Sequence, residues 1–240
     1  MYYYVSLIVL IYLFYLIFRE IFLFTTIRFA EKLRRNHHAS KDKNELKNST
    51  NNQMNDDKNI VHFFLRIYEG LYRYYVFRVA NYPSKTLRKF IYKYSFLMNI
   101  GKNVIIHRGL EIRGGSRINI GDGSIIGDDV LLDGRGGLVI GSNVNFSSKA
   151  QVYTRQHDIN DKNFGVKEAT VVIENRCWVS SNTIVLPGVR IGEGAVLAAG
   201  AVAAKDIDPF TVNAGIPSKV IGQRNSNLCY TFSGNSPWFL

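Results

Sequence analysis

The chain has 240 residues, of which 46% are hydrophobic and 20% charged, so it can bury a full core and is too apolar for an intrinsically disordered protein. Its formal net charge is +11, and the first 100 residues hold 16 Lys and Arg against 7 Asp and Glu. Because these cations flank apolar and aromatic stretches, the charge pattern favours a membrane surface as a partner and argues against a nucleic-acid-binding protein.

Cysteine and histidine usage limits the chemistry. The two cysteines, Cys177 and Cys229, form neither a disulfide framework nor a CxxC zinc pattern, and they suit a reducing compartment. The five histidines are too scattered for a recognised metal-ligand spacing. We therefore predict no structural metal.

Residues 1–35 are predicted to form an apolar helix that spans or associates with a membrane. No charge occurs from Met1 to Phe18, and at about 1.5 Å per residue this stretch is about as long as the hydrocarbon core is thick. Cations after it would hold the following chain at the cytoplasmic face of the cell membrane. Alternatively, because Arg19 and Glu20 interrupt the apolar stretch, the helix lies in the interface as far as about Ala30. The cations are Arg28, Lys32, Arg34 and Arg35.

Residues 36–59 are rich in Asn and Lys and contain hardly any apolar side chain. Such a segment cannot bury enough surface to offset its ordering entropy, which predicts a flexible linker. The same composition arises when a start codon is assigned upstream of the true one, and the sequence leaves that alternative open.

Residues 60–98 combine many aromatic and basic residues with a single acid, Glu69. Pro83 predicts a break between two helices, because proline lacks a backbone donor and restricts Tyr82 before it. One interpretation is a basic aromatic face for the membrane or for a lipid-linked substrate. The other is a helical cap on the following domain, and one helix can do both.

From Ile100 onward a six-residue unit recurs, in which an aliphatic residue is usually followed by glycine, two polar residues and a small or branched residue. One unit cannot bury its aliphatic face alone, but three form a triangular turn that stacks on the next turn. Residues 100–222, without one loop, predict about six turns of roughly 18 residues each. Gly, Asn and Asp are expected at corners that need a left-handed backbone. Clear units begin at Ile100, Ile120, Ile126, Ile140 and Ile191.

These repeats resemble those of the hexapeptide-repeat acyltransferases over about Ile100–Gln223. Within that family the chain is most similar to the maltose and galactoside O-acetyltransferase branch, which includes enzymes that acetylate capsule and other surface polysaccharides. The similarity rests on Trp178 and the residues after it, on Leu186–Gly192 and on Gly215–Ile221.

The resemblance implies a mainly β fold, which the N-terminal helices predicted above precede. A left-handed parallel β-helix is expected over 99–224 with a loop at 154–170, followed by a C-terminal tail at 225–240. The resemblance also implies a homotrimer, in which two subunits share each active site, and acetyl-CoA as the co-substrate.

The repeat register breaks once, between about Tyr153 and Thr170, and His157 lies in this break. His157 aligns with the catalytic histidine of the resembled branch. Acyl transfer to a hydroxyl needs a base, and imidazole suits this task because its unperturbed pKa is about 6.5. We predict His157 as the general base, with its ring oriented by Asp158 or by an acidic or backbone group from elsewhere.

The oxyanion needs a donor, and after Trp178 the chain offers backbone amides and the hydroxyls of Ser180 and Ser181. We predict a backbone amide near Ser181 for this role. The resemblance implies further roles around the donor. Trp178 would form a wall of the acceptor pocket, or else only fill a coil corner. Ala199 and Gly200 are small enough for the pantetheine arm to lie on the coil. Cations expected near the phosphates, or alternatively separate surface residues, are Lys205, Lys219 and Arg224.

The acceptor turn departs from the maltose and galactoside pattern. The Asn and Asp that bind substrate there align with Gly127 and Arg135, and Asp133 is near. Maltose or galactoside specificity is therefore not expected, and Asp133 and Arg135 are the candidate acceptor-binding residues. A pocket arginine beside a membrane-proximal N-terminus favours an acidic or lipid-pyrophosphate-linked glycan.

The sequence thus predicts an acetyl-CoA-dependent O-acetyltransferase that acts on a sugar hydroxyl of a cell-surface or capsular polysaccharide or of its lipid-linked precursor. N-acetylation of an amino sugar needs the same donor and base and stays open. So does a catalytically inactive, membrane-tethered scaffold. A β-helix carbonic anhydrase is excluded, since it needs three zinc-binding histidines and the turns after the first offer only His157.

Overall fold

Residues 2–44 and 57–235 are described by the structure, a computed structural model of the chain. The chain divides into two compact units, with residues 1–75 in the first and residues 76–240 in the second. The boundary between them falls inside the second helix.

The first unit is helical. Helix α1 spans Tyr2–Asn44, and helix α2 spans Asp57–Ala80, of which the residues up to Tyr75 belong to this unit. The stretch Ile8–Asn36 of α1 is long and apolar enough to cross a membrane, by its length and composition. Farther along α1, the buried carboxylate of Glu31 accepts a hydrogen bond from the hydroxyl of Tyr68 in α2 at 2.8 Å.

The helix bounds differ from the segment boundaries expected at residues 35 and 60. Helix α1 continues to Asn44 because residues 36–44 contain no proline or glycine to end it, and α2 begins at Asp57. Half of the predicted linker, residues 45–56, lies outside the described residues, so a flexible segment there stays a prediction.

A break between two helices follows Ala80, as predicted from Pro83. Helix α2 ends at Ala80, and helix α3 spans Lys85–Tyr94. Ser84 caps the start of α3, because its hydroxyl accepts a hydrogen bond from the amide of Leu87 at 3.3 Å.

The inner face of α3 covers the start of the β domain. The buried guanidinium of Arg88 donates to the carbonyl of Ile106 at 2.9 Å, and the hydroxyl of Tyr92 donates to the carbonyl of Leu110 at 2.9 Å. These bonds satisfy strand-end carbonyls that no earlier turn covers. Helix α3 is therefore a cap on the first turn.

The rest of the second unit is a parallel β-helix of three sheets. The first sheet contains β1 Asn99–Ile100, β4 Ile118–Ile120, β7 Leu138–Ile140, β12 Val171–Ile173 and β15 Arg190–Ile191. The second contains β2 Ile105–Ile106, β5 Ile125–Ile126, β8 Asn145–Phe146, β13 Trp178–Val179, β16 Val196–Leu197, β18 Thr211–Ala214 and β19 Lys219–Gln223. The third contains β3 Glu111–Arg113, β6 Leu131–Asp133, β9 Gln151–Val152, β14 Ile184–Val185 and β17 Val202–Ala203.

One strand from each sheet makes one turn of the β-helix. Five turns are complete, and a bridge from Ile207 to Ile191 together with β18 adds two sides of a sixth. Within the three sheets the strands pair in parallel, except that β19 runs antiparallel to β18. The predicted solenoid of about six turns is confirmed.

Isoleucines in register fill the interior. In the first sheet Ile120 pairs with Ile140, Ile140 with Ile173 and Ile173 with Ile191, and all four are buried. This ladder explains the repeat period of the sequence. Each turn buries its aliphatic side chains only against the turns above and below it, so the same residue type recurs at the same place in successive turns.

The corners have the left-handed backbone expected of them. Asn and Asp hold φ between 55° and 57° at Asn103, Asp129, Asn143 and Asn182. Gly121 is needed for a different reason: a Cβ there would lie 2.6 Å from the carbonyl carbon of Gly141 in the next turn.

Candidate active site

The interruption predicted in the repeats is an antiparallel hairpin outside the three sheets. Strand β10 Arg155–His157 pairs with β11 Val166–Glu168, and the hairpin leaves the β-helix between β9 and β12. It therefore projects from the corner between the third and first sheets.

Thr154 fixes the base of the hairpin. Its buried hydroxyl donates to the carbonyl of Asp133 at 2.9 Å and accepts from the amide of Gly136 at 2.8 Å. Its carbonyl accepts from the amide of Ala169 at 2.9 Å on the returning strand. The hairpin thus starts and ends at a point held against the preceding turn.

The exposed imidazole of His157 is held in one tautomer by its neighbour Phe164. Nδ1 lies 2.8 Å from the carbonyl oxygen of Phe164. Because a carbonyl oxygen only accepts, Nδ1 must carry the hydrogen, and Nε2 of the neutral ring is left as the acceptor. The phenyl ring of Phe164 also stacks on the imidazole, with centroids 3.8 Å apart and planes 14° apart.

The sequence analysis did not find Phe164. Its backbone is left-handed, with φ at 54°, and this conformation turns the carbonyl back toward the histidine. The signal available in the sequence was a large hydrophobic residue within a polar loop, and in the structure its side chain is 66% exposed. No repeat position or motif marks it.

Asp158 has other partners. Its carboxylate lies 2.8 Å from Nζ of Lys167 and accepts a hydrogen bond from the amide of Asn160 at 3.1 Å. The hydrogen bond from Lys167 and then that from Asn160 lower the pKa of Asp158. Of the two options left open for orienting the ring, the structure has the backbone carbonyl, and Asp158 instead braces the hairpin.

Asp133 does not face an acceptor pocket, contrary to expectation. Its side chain is fully buried, and it binds the guanidinium of Arg135 through two contacts of 2.9 Å. The amide of Arg135 donates to the same carboxylate at 3.0 Å. A buried carboxylate must be paired, so removal of Arg135 would leave an uncompensated buried charge beneath the hairpin. Arg135 is correspondingly committed to a carboxylate of its own chain.

Ser181, Ala199 and Gly200 lie at the corner between the second and third sheets. The backbone amides of Ser181 and Ala199 donate to no acceptor among the described residues, whereas the amide of Gly200 donates to the carbonyl of Ser181 at 2.9 Å. Ala199 and Gly200 are exposed, and a Cβ added to Gly200 would meet nothing within 4 Å. This corner therefore has room and two available amide donors.

Trp178 lies on the second sheet just before that corner. Its side chain is 44% exposed, and its indole Nε1 donates to the hydroxyl of Ser147 at 3.1 Å. The ring therefore stands on the outer surface and fills no interior corner, which leaves the pocket-wall role as a prediction.

Two of the three predicted phosphate-binding cations are exposed, and one is committed elsewhere. Lys205 and Lys219 lie on the surface. The guanidinium of Arg224 instead donates to the carbonyls of Arg176 and Gly194, each at 2.9 Å. Arg224 fastens the C-terminal segment to the β-helix, so the structure does not support a phosphate-binding role for it.

Two edges of the triangular cross-section thus carry the candidate residues. The histidine edge, between the third and first sheets, carries His157 and Lys205. The amide edge, between the second and third sheets, carries Ser181 and Ala199. These are different corners of the β-helix, so within one chain the structure does not bring the base and the amide donors together.

In the part of the chain that the structure describes, no group of three or more His, Cys, Asp or Glu side chains is placed to hold a metal ion.

Known proteins share both the sequence pattern and the fold. Residues 170–205 match the family described as bacterial transferase hexapeptide (six repeats). The Escherichia coli protein WcaF, assigned to colanic acid biosynthesis as an acetyltransferase, is 34% identical over 129 residues, which cover 54% of this chain and 71% of WcaF. Galactoside O-acetyltransferase of E. coli is 26% identical over 60% of this chain and 73% of that protein.

A solved structure extends the comparison to the fold. A hexapeptide-repeat acetyltransferase from Vibrio cholerae, crystallised with acetyl coenzyme A, superposes with a TM-score of 0.58 at 25% identity. The superposition covers 66% of this chain and 90% of that chain. The chain therefore belongs to the hexapeptide-repeat acetyltransferases, and its β-helix has the left-handed form predicted from the repeats.

Proposed function

We propose that this protein transfers an acetyl group from acetyl-CoA to a sugar hydroxyl of a cell-surface polysaccharide or of its lipid-linked precursor, with His157 as the general base. The observation that carries the proposal is the hydrogen bond from Nδ1 of His157 to the carbonyl of Phe164. It leaves Nε2 as the acceptor that a hydroxyl proton needs. Relatives assigned to colanic acid biosynthesis and to galactoside O-acetylation support a carbohydrate acceptor.

The chemistry proceeds by direct attack of the acceptor on the thioester. Nε2 of His157 takes the hydroxyl proton while the sugar oxygen bonds to the acetyl carbonyl carbon. The carbonyl oxygen becomes an oxyanion, and the backbone amide of Ser181 donates to it. As the C–S bond breaks, the imidazolium returns its proton to the leaving thiolate of coenzyme A. Atoms and charges balance without a metal.

The donor fits the amide edge. The pantetheine arm carries amides that require hydrogen-bond partners, and the exposed amide of Ala199 is one turn away from that of Ser181 along the same edge. The small Ala199 and Gly200 leave space for a thin ligand. Acetyl-CoA is the co-substrate, as in the V. cholerae structure.

The complete site forms between subunits of a homotrimer. His157 and Ala199 lie on different edges of one β-helix, and a three-fold arrangement sets the histidine edge of one subunit against the amide edge of the next. Each trimer then holds three sites, and a single chain holds none.

The membrane brings the acceptor to the enzyme. Helix α1 contains a stretch long and apolar enough to span a bilayer, and cations follow the apolar stretch. By the distribution of Lys and Arg, the second unit lies at the cytoplasmic face. Polysaccharide precursors linked to a lipid are presented at such a surface.

The direct test is acetyl transfer from labelled acetyl-CoA to a panel of lipid-linked oligosaccharides. We expect label in an ester that mild alkali releases, and a loss of about 10²-fold or more in kcat for His157→Ala. Lys162→Ala, an exposed position on the same hairpin, is the matched control and keeps wild-type activity.

Two results would overturn this proposal. Wild-type rates in a trimeric His157→Ala variant would exclude the base assignment. Label that resists alkali and appears only with amino-sugar acceptors would instead assign the protein to N-acetylation.

A further inference from the structure

The outer face of α3 takes no part in capping the first turn. Leu87, Phe90 and Tyr94 lie on it, with exposures of 46%, 51% and 42%. At about 100° per residue they share one arc with Thr86 and Lys93, and Arg88 points to the opposite side. An apolar and aromatic stripe therefore stands on the surface of a helix whose inner face is already fixed.

Only cations accompany this stripe along the chain. From Val76 to Leu110 the sequence has seven Lys and Arg residues and no Asp or Glu. In helix α3, Lys93 is exposed at the edge of the stripe and Lys85 is half-buried at the start of the helix. The half-buried Lys89 donates from Nζ to the carbonyl of Val104 at 3.1 Å. Burial, together with the nearby charges of Lys93 and Lys85, lowers the pKa of Lys89, as expected where positive charges crowd.

A groove lies alongside the helix, between α3 and the first turn. It has a volume of about 360 Å³, and its lining includes Lys85, Lys89, Phe90 and Asn103. The groove thus places ammonium groups next to an exposed ring, which is complementary to a ligand that carries an anionic head beside an apolar tail.

We propose that the outer face of α3 docks on an anionic lipid bilayer. An apolar and aromatic stripe flanked by lysines has the pattern of a helix that lies in the membrane interface, with its rings at the acyl boundary and its ammonium groups on the lipid phosphates. The positive charge of the lysines favours anionic lipids over neutral ones.

Docking through α3 has a different consequence from anchoring through α1. The bonds from Arg88 and Tyr92 fasten α3 to the β-helix, so a membrane bound to the outer face holds the β-helix itself at the lipid surface. Anchoring through the apolar helix α1 alone would not fix the orientation of the β-helix at the membrane. The value of this orientation for catalysis rests on the proposed function, whereas the docking itself depends only on the residues of α3.

The test uses the full chain in lipid nanodiscs, with Cys229→Ser as background and an environment-sensitive fluorophore on Thr86→Cys. Thr86 is exposed on the outer face, and its exchange leaves the apolar stripe and the lysines intact. The control position is Asp208→Cys, which is exposed in the last turn at the other end of the β-helix. Discs contain either phosphatidylcholine alone or phosphatidylcholine with phosphatidylglycerol.

We expect emission at position 86 to shift to the blue in the anionic discs and emission at position 208 to stay unchanged. Salt at about 0.5 M reverses the shift, because it screens the lysines. The variant Lys85→Gln/Lys93→Gln weakens docking by roughly tenfold or more, since each lysine near an anionic surface contributes about fivefold.

Three results would contradict the proposal. Unchanged emission at position 86 in anionic discs excludes docking. An equal shift in both kinds of disc excludes selection by charge. A shift in detergent that grows with protein concentration assigns the outer face to a second copy of the chain. Acetyl transfer is not a readout in this experiment, so its outcome is separate from that of the proposed function.

Discussion

Replacing Phe164 with alanine isolates how the imidazole of His157 is positioned. The variant keeps the carbonyl that accepts from Nδ1 but removes the ring that stacks at 3.8 Å. An aromatic stacking pair contributes about 0.5–1.5 kcal/mol. If the stack holds the ring in its productive orientation, its loss lowers kcat by about two- to tenfold. This is far less than the loss of about 10²-fold or more expected for His157→Ala.

The assay is steady-state transfer of labelled acetyl groups with the acceptor saturating. We expect kcat to fall for Phe164→Ala while KM for acetyl-CoA stays constant, and we expect Phe164→Tyr to restore kcat because a phenol ring stacks as well. Lys162→Ala on the same hairpin is the control. An unchanged kcat for Phe164→Ala, or a Phe164→Tyr variant as slow as the alanine variant, would refute the positioning role.

Two further predictions concern the β-helix. Gly121→Ala forces a Cβ to 2.6 Å from the Gly141 carbonyl carbon. Overpacking of about 1–3 kcal/mol then lowers the melting temperature by roughly 2–12 °C. Gly222→Ala, where a Cβ meets nothing within 4 Å, should melt like wild type, and equal losses in both variants would contradict the packing argument. Burial raises the pKa of Cys177 to about 12, so at about pH 8 a thiol reagent should modify only the exposed Cys229 before denaturation and both cysteines after it. Two fast thiols in the folded protein would contradict the buried position.

The features that repeat along the chain were predictable. Each turn consists of three short strands, and stacking places an aliphatic residue of one turn directly over the matching residue of the previous turn. Ile120, Ile140 and Ile191 therefore show the repeat period in the sequence itself. The break around His157 is visible for the same reason, because a departure from a strict period stands out. The helix break at Pro83 follows from the chemistry of one residue.

The pairings of individual polar side chains were not predictable. Asp133 and Arg135 look like pocket residues in sequence, but Thr154 of the next turn covers the carboxylate and leaves it no exposure. Arg224 follows the repeats as a phosphate-binding cation would, yet it donates to carbonyls far back in the chain. Such pairings depend on which side chains the stacked turns bring into contact, and no local pattern records that.

A site shared between two subunits was expected from the resemblance, but the edges of the β-helix that would form it were not. The sheet order supplies them for His157 and Ala199. The three sheets assign the two residues to different corners of one chain, and the proposed function therefore places each site between two chains. The central claim is therefore that a complete site needs two chains.

Mixed trimers of two inactive variants test this claim most directly. His157→Ala removes the base, and Ala199→Tyr blocks the exposed donor position, so each variant alone is expected to be inactive. If each site joins the histidine edge of one chain to the amide edge of the next, every mixed trimer contains one intact site in three. Random assembly from equal amounts then restores about a quarter of the wild-type activity. Activity that stays at the level of the separate variants, in trimers shown to contain both chains, would contradict a shared site.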